Sequence, residues 1–303
     1  QGVLRSSERQ KDFEDTLGLV VESVERAVRE GNRTRYSRLI ELLVREAGSH
    51  SDESRRRRIE DSISTIASTE LIGDLLKQPA AESDPLIARI LEMLGGHVVH
   101  TLVTLLADEV DRTRRKALIE MLIATAPSNP HPVIQGLNDP RWYVVRNFAM
   151  ILGRIRSSEA VPALEKLMQF GDPRVRREAV RAGATTQGPA ALPKLIQSLS
   201  DADEVVRLQS LAAIGAIQDL ASTESLIQFA SRRGRSIAEM KEVLTSLQFQ
   251  RNQQATEFLK KTSLRRWPPT SATRQLAKFS KGLLARGWSP STGPDYPVEP
   301  DVE

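Results

Sequence analysis

The residues of this 303-residue chain whose types and spacing could do chemistry are histidines, clustered acids and arginines at recurring places. His97 and His100 stand at i, i+3, a spacing at which two imidazoles on one helix could share a metal ion. No third ligand of matching register follows and no His-Glu-x-x-His pattern occurs, so the pair reads as surface or packing histidines of a helix. His50 and His131 fall in expected loops. Asp108, Glu109 and Asp111 offer paired carboxylates, but they fall in a turn between helices, where capping of exposed amides accounts for them. Cysteine is absent, which removes disulfides, thiol catalysis and thiolate metal sites. There is no Gly-rich phosphate loop and no Gly-x-Ser-x-Gly elbow. The expectation is therefore a non-enzyme, with no catalytic residue, no metal and no cofactor.

Binding chemistry is better represented. Arg141, Trp142 and Tyr143 are consecutive, a composition suited to an interface anchor or to packing between repeats. Arg174, Arg177 and Arg181 share a helix face, a stripe able to meet an acidic partner or to stand in solvent. Arg55 to Arg58 form a run of four, with Asp52, Glu53, Glu60 and Asp61 close enough to offset them. Between Arg232 and Arg286 there are 13 basic residues against 3 acidic ones, while the whole chain carries only +4. Within that basic segment, Thr273 to Arg286 sets Leu276, Phe279, Leu283 and Leu284 on one side and Arg274, Lys278, Lys281 and Arg286 on the other. Such a helix caps an array, or docks on a partner or an anionic surface.

The elements that position these groups are helical. Apolar residues make up 40% of the chain and aromatics 4%, with Leu, Ile, Val and Ala carrying the load, a profile for helix-on-helix packing. No apolar run approaches the roughly 18 residues that span a bilayer, so no membrane span is expected. Neither is a signal peptide, and a cytoplasmic location is expected. Three segments align without gaps: Val145 to Gly153, Val175 to Gly183 and Val206 to Ile214. Their arginines, Arg146, Arg176 and Arg207, are 30 and 31 residues apart, and a weaker copy begins at Arg114. Each copy is the second helix of a pair. Asp172-Pro173 marks its start, with Asp capping the amides and Pro in the first turn, and Asp139-Pro140 is expected to do the same. The shorter first helices are expected over Val161 to Phe170, Leu192 to Ser200 and Ser222 to Ala230, with Pro162 and Pro193 in their first turns. Gly153, Ala182, Gly183 and Gly215 are expected to end the second helix or to let the next hairpin approach closely.

This pattern resembles the HEAT repeat family. The resemblance rests on Pro162-Ala163-Leu164 and Pro193-Lys194-Leu195, on an Asp in the turn, and on Val-Arg-x-x-Ala at Val145–Ala149 and Val175–Ala179. It covers about Asp108 to Ala230. It implies an all-α fold, an α-solenoid (α-α superhelix) of about seven or eight hairpins whose second helices line a concave groove. It also implies a ladder in which Arg146, Arg176 and Arg207 bond an acid or carbonyl of their own or the adjoining turn. Asp201, six residues before Arg207, has the ladder spacing; Asp172 and Asp139, four and seven before their arginines, depart from it. HEAT-like bilin lyases and HEAT-like DNA glycosylases share such a fold, but neither brings a motif that can be placed here.

The expected organisation is degenerate N-terminal repeats at 1–107, HEAT-like repeats at 108–230, basic capping repeats at 231–288 and a mobile tail at 289–303. Phe13 to Arg29 is expected to pack on a domain upstream of Gln1. The expected function is a scaffold that binds a protein partner in the groove through Trp142, Asn147, Arg174, Arg177 and Leu208. The alternative is a nucleic-acid or anionic-surface binder working through Arg274, Lys278, Lys281 and Arg286.

Overall fold

The computed structural model describes residues 2–49, 52–77, 81, 84–264 and 270–286. The expected break at Trp267-Pro268-Pro269, the tail 289–303 and the side chain of Arg286 lie outside what is described. Among the described residues the fold is all-α, helical hairpins of the α-solenoid class, with no strand. The chain divides into two compact units, Gln1–Ser157 and Ser158–Glu303.

The first unit holds α1 (Gly2–Arg29), α2 (Arg33–Ser49), α3 (Glu53–Ile66), α4 (Thr69–Lys77), α5 (Pro85–Leu94), α6 (Val99–Asp108), α7 (Arg112–Thr125), α8 (His131–Gly136) and α9 (Trp142–Arg154). The apolar stripe of α1, with Val24, Ala27 and Val28 buried, packs on α2, α3 and α4. These residues of the stripe therefore find cover within this unit. Asp52 and Asp84 cap α3 and α5 by accepting backbone amides, and Pro85 follows in the first turn.

The stretch Pro85–Asp108 meets the length and apolarity of a membrane-crossing helix. It is nevertheless two helices. α5 stops at Gly95, whose φ of 51° and ψ of −129° suit glycine, and a 3-10 turn over Gly95–Val98 redirects the chain into α6. Half of its most apolar window is buried in the protein, as Ile87, Ile90 and Leu91 pack inside on one helix and Val99, Leu102 and Leu106 on the next.

The second unit holds four hairpins among the described residues: α10 (Val161–Leu167) with α11 (Pro173–Gln187), α12 (Leu192–Ser198) with α13 (Glu204–Ala216), α14 (Leu220–Ser231) with α15 (Ile237–Phe249), and α16 (Gln253–Ser263) with α17 (Ser271–Arg286). The second helices form a continuous row, α11 on α13, α13 on α15, α15 on α17. Val206, Leu211 and Ile214 of α13 are fully buried, and each such side chain contributes about 1.5–3 kcal/mol. Gly215 sets the closest approach in the row: a β-carbon there would lie 2.4 Å from the Ser246 Oγ of α15. Pro162 and Pro193 sit in the first turns of α10 and α12, as their spacing predicts. One start differs from expectation. Asp172 does cap α11, but Asp139 does not cap α9; Arg141 is the N-cap there, and Asp139 instead accepts its amide and guanidinium.

Candidate partner-binding face

The structure separates the arginines that build the fold from those that face outward. In the second unit Arg176 donates to both oxygens of Asp201, at 2.7 and 2.8 Å, and to the carbonyls of Phe170 and Gly171. Arg207 repeats this one hairpin later, donating to the Glu239 carboxylate at 2.6 Å and to the carbonyls of Asp201 and Ala202. Each guanidinium thus ties its own turn to the acid of the next hairpin. The expected pairing of Asp201 with Arg207 is corrected: the carboxylate serves the preceding arginine and only the carbonyl serves Arg207. Burial pushes the carboxyls of Asp201 and Glu239 up, but the guanidinium and amide hydrogen bonds outweigh it and both sit below their ordinary values. Glu239 also completes a capping box with Ser236 at the start of α15.

The outward stripe on α11 is largely self-compensated. Arg174 holds its own N-cap, Asp172, at 2.8 Å, and Arg181 holds the buried Glu178 at 2.8 Å. Arg177 lies half-buried on the same face. Aligned on the caps Asp172, Asp203 and Ser236, Arg177 of α11 corresponds to Leu208 of α13 and to Lys241 of α15, and Arg174 to Val205 and Ala238. α13 lies between α11 and α15 in the row, so its half-buried Leu208 and its Val205, 47% exposed, form an apolar centre with Arg177 of α11 on one side and Lys241 of α15 on the other.

At the end of the row, Lys241, Gln275, Lys278, Phe279, Gly282 and Leu283 line a groove of about 340 Å³ between α15 and α17. The ammonium of Lys241 lies 5.7 Å from the centroid of the Phe279 ring. Of the expected basic surface on α17, Lys278 lines this groove, while Arg274 and Lys281 are exposed outside it. The apolar side of α17 is covered by its own unit: Leu283 is 6% exposed, Ser280 Oγ donates to the Leu259 carbonyl, and the helix packs on α15 and α16. Lys241, Gln275 and Gly282 escaped the sequence reading. The cap at Ser236 was the available signal, since counting from it puts Lys241 in the place of Leu208.

In the first unit Trp142 and Tyr143 open α9 in an edge-to-face pair, centroids 5.9 Å apart. Arg141 lies 6.0 Å from the Tyr143 centroid while bonding Asp139 and Asp108, and these bonds raise its pKa further. Tyr143 is 42% exposed; Trp142 and Asn147 are half-buried. The candidate contacts therefore fall in both units, Trp142 and Asn147 in the first and Arg174, Arg177 and Leu208 in the second.

The remaining candidates take structural places. Arg56 and Arg57 pair with Glu53, Arg58 with Glu14, and Arg55 covers the Phe13 ring. His97 Nδ1 is 2.9 Å from Ser64 Oγ. Asp111 caps α7, and Glu109 accepts the Asp111 amide. Among the described residues no three His, Asp or Glu side chains converge as a metal would require.

The comparisons bear on the fold. No match was found among curated proteins. An engineered protein of solved structure is similar at 17% identity over 90% of this chain and 84% of its own, with a TM-score of 0.33. Human deoxyhypusine hydroxylase, solved with glycerol, is similar at 15% identity over 82% and 97%, with a TM-score of 0.36. The CpcE–CpcF complex of phycocyanin lyase from Nostoc is similar at 20% identity over 80% and 94%, with a TM-score of 0.32. The family model for HEAT repeats matches residues 130–215, the three helix pairs α8/α9, α10/α11 and α12/α13. Those paired helices, with the Arg176 rung that joins two of the pairs, belong to the HEAT repeat family.

Proposed function

We propose that the chain is a non-catalytic, cytoplasmic interaction module whose protein partner lies across the second helices. One observation carries this reading: Val205 and Leu208 stand outward on α13 between Arg177 of α11 and Lys241 of α15, whereas the neighbouring ladder arginine, Arg207, is consumed inside the fold. An apolar centre with a charged rim is the usual anatomy of a protein interface. Trp142 and Tyr143 supply an aromatic anchor of the same kind in the first unit. The test is photo-crosslinking from p-benzoylphenylalanine placed at position 205 or 208 of the full chain, in native lysate, at low and high salt and after nuclease. A discrete protein adduct that survives salt and nuclease, and is lost with Leu208→Asp, supports the module. Absence of any adduct from either position overturns it.

A second reading, binding of nucleic acid or an anionic surface by the basic C-terminal helices, draws support from the exposure of Arg274, Lys278 and Lys281 on α17. Contacts to phosphates are set by counterion release, so binding of that kind falls steeply with salt.

A further inference from the structure

The groove between α15 and α17 has a composition that the stacking of the hairpins does not require. Its floor is Phe279, Gly282 and Leu283, its rim is Lys241 and Lys278, and Gln275 adds one carboxamide; among the described residues no carboxylate lines it. Gly282 sits well inside α17, where glycine is the poorest helix former after proline. At Gly215 a β-carbon would strike the next helix, but at Gly282 it would meet nothing within 4 Å. The missing side chain therefore serves no helix contact; what it does is deepen the groove.

We propose that this groove receives an extended acidic segment of a partner protein, with an aliphatic or aromatic side chain on the Phe279–Leu283 floor and carboxylates at Lys241 and Lys278. The proposal rests on the reading of the chain as a protein-binding module and names the chemistry of what it binds. Two features favour an acidic peptide over nucleic acid. One side of the Phe279 ring is approached by the Lys241 ammonium, which competes with base stacking there. The Gln275 carboxamide both donates and accepts, as the backbone of an extended peptide demands. Alternation of side chains in an extended peptide sends acids to the rim and apolar groups to the floor.

The test uses the full chain and a fluorescein-labelled peptide alternating glutamate with leucine, followed by anisotropy, with a labelled oligothymidylate in parallel. The wild type gives saturable binding of the peptide. Lys241→Glu with Lys278→Glu weakens it by about tenfold or more, because both rim charges are reversed. Arg233→Glu with Lys260→Glu, an equal change of charge at exposed positions outside the groove, weakens it by less than about threefold through screened long-range repulsion. Gly282→Leu fills the groove with a better helix former, so it blocks the peptide while the melting temperature holds or rises. The proposal is overturned by equal losses in the two charge-reversed pairs, by undiminished binding to Gly282→Leu, by tighter binding of the oligothymidylate, or by no saturable peptide binding. If the peptide fails while the adduct from position 205 or 208 persists, the groove assignment falls and the module reading stands. If both fail, both fall.

Discussion

Arg176 and Arg207 of the second unit do different work from Arg56 and Arg141 of the first. Arg176 and Arg207 are 15% and 19% exposed, and their acids 10% and 2%. Each satisfies two carbonyls of its own turn and a carboxylate of the next hairpin. In the first unit Arg56 pairs along its own helix with Glu53 and Glu60, all of them about half exposed, and Arg141 spans the part-buried Asp139 and the exposed Asp108. The lesson is geometric. A guanidinium welds two repeats where packing brings the next acid inside and water competes poorly, as Arg33 and Asp84 also show in the first unit; a pair on a solvated helix face contributes little.

The strongest way to break this contrast is Arg207→Met. It leaves the Glu239 carboxylate buried without its guanidinium and two carbonyls unserved, and is expected to cost about 3 kcal/mol, read as a fall in the urea midpoint of the full chain. A cost near zero would mean that the ladder is ornamental.

Asp201→Asn comes next, at about 1–2 kcal/mol at pH 7, and its dependence on pH is diagnostic. The folded pKa of Asp201 is depressed, so the stability it contributes is present above the unfolded value of about 4 and lost as pH falls through the folded value. The gap between wild type and variant should therefore shrink below about pH 4. A gap that is the same at pH 3 as at pH 7 would contradict the assignment.

Glu242→Gln should act in the opposite direction and more weakly. Burial holds the Glu242 carboxyl above its ordinary value despite the Ser246 hydroxyl. The stability tied to that raised pKa is present below the unfolded value and lost as pH rises through the folded one. The variant should thus melt higher than wild type at pH 7 and converge with it at acid pH; a lower melting temperature at pH 7 would count against the burial argument. Smallest of all, Arg56→Ala should change stability by less than about 0.5 kcal/mol, and a larger loss would show that helix-face pairs in the first unit carry more than their exposure suggests.

Much of the fold was legible because periodicity and punctuation agree with packing. Ile237 to Phe249 is helical over the predicted residues, and Asp172-Pro173 starts α11 as a capped proline turn should. Spacing along the chain left open whether each arginine meets an acid of its own or of the adjoining repeat. Six residues separate Asp201 from Arg207, yet the Asp201 carboxylate turns to Arg176, 25 residues back. Glu239 closes a capping box with Ser236, and its second role, accepting from Arg207, requires α13 and α15 to be side by side. α4 (Thr69–Lys77) was not assigned because nine residues carry too few turns for a clear period.

The sequence by itself determined the all-α class and the hairpin period near 30 residues, because these depend on local propensity and on recurrence within a few turns. Tertiary structure decided which acid each ladder arginine meets, that Lys241 and Lys278 line one groove, and that Gly282 opens it while Gly215 closes a seam. Those outcomes depend on which face of one helix lies against the next, a matter of a few ångströms across about 30 residues of chain.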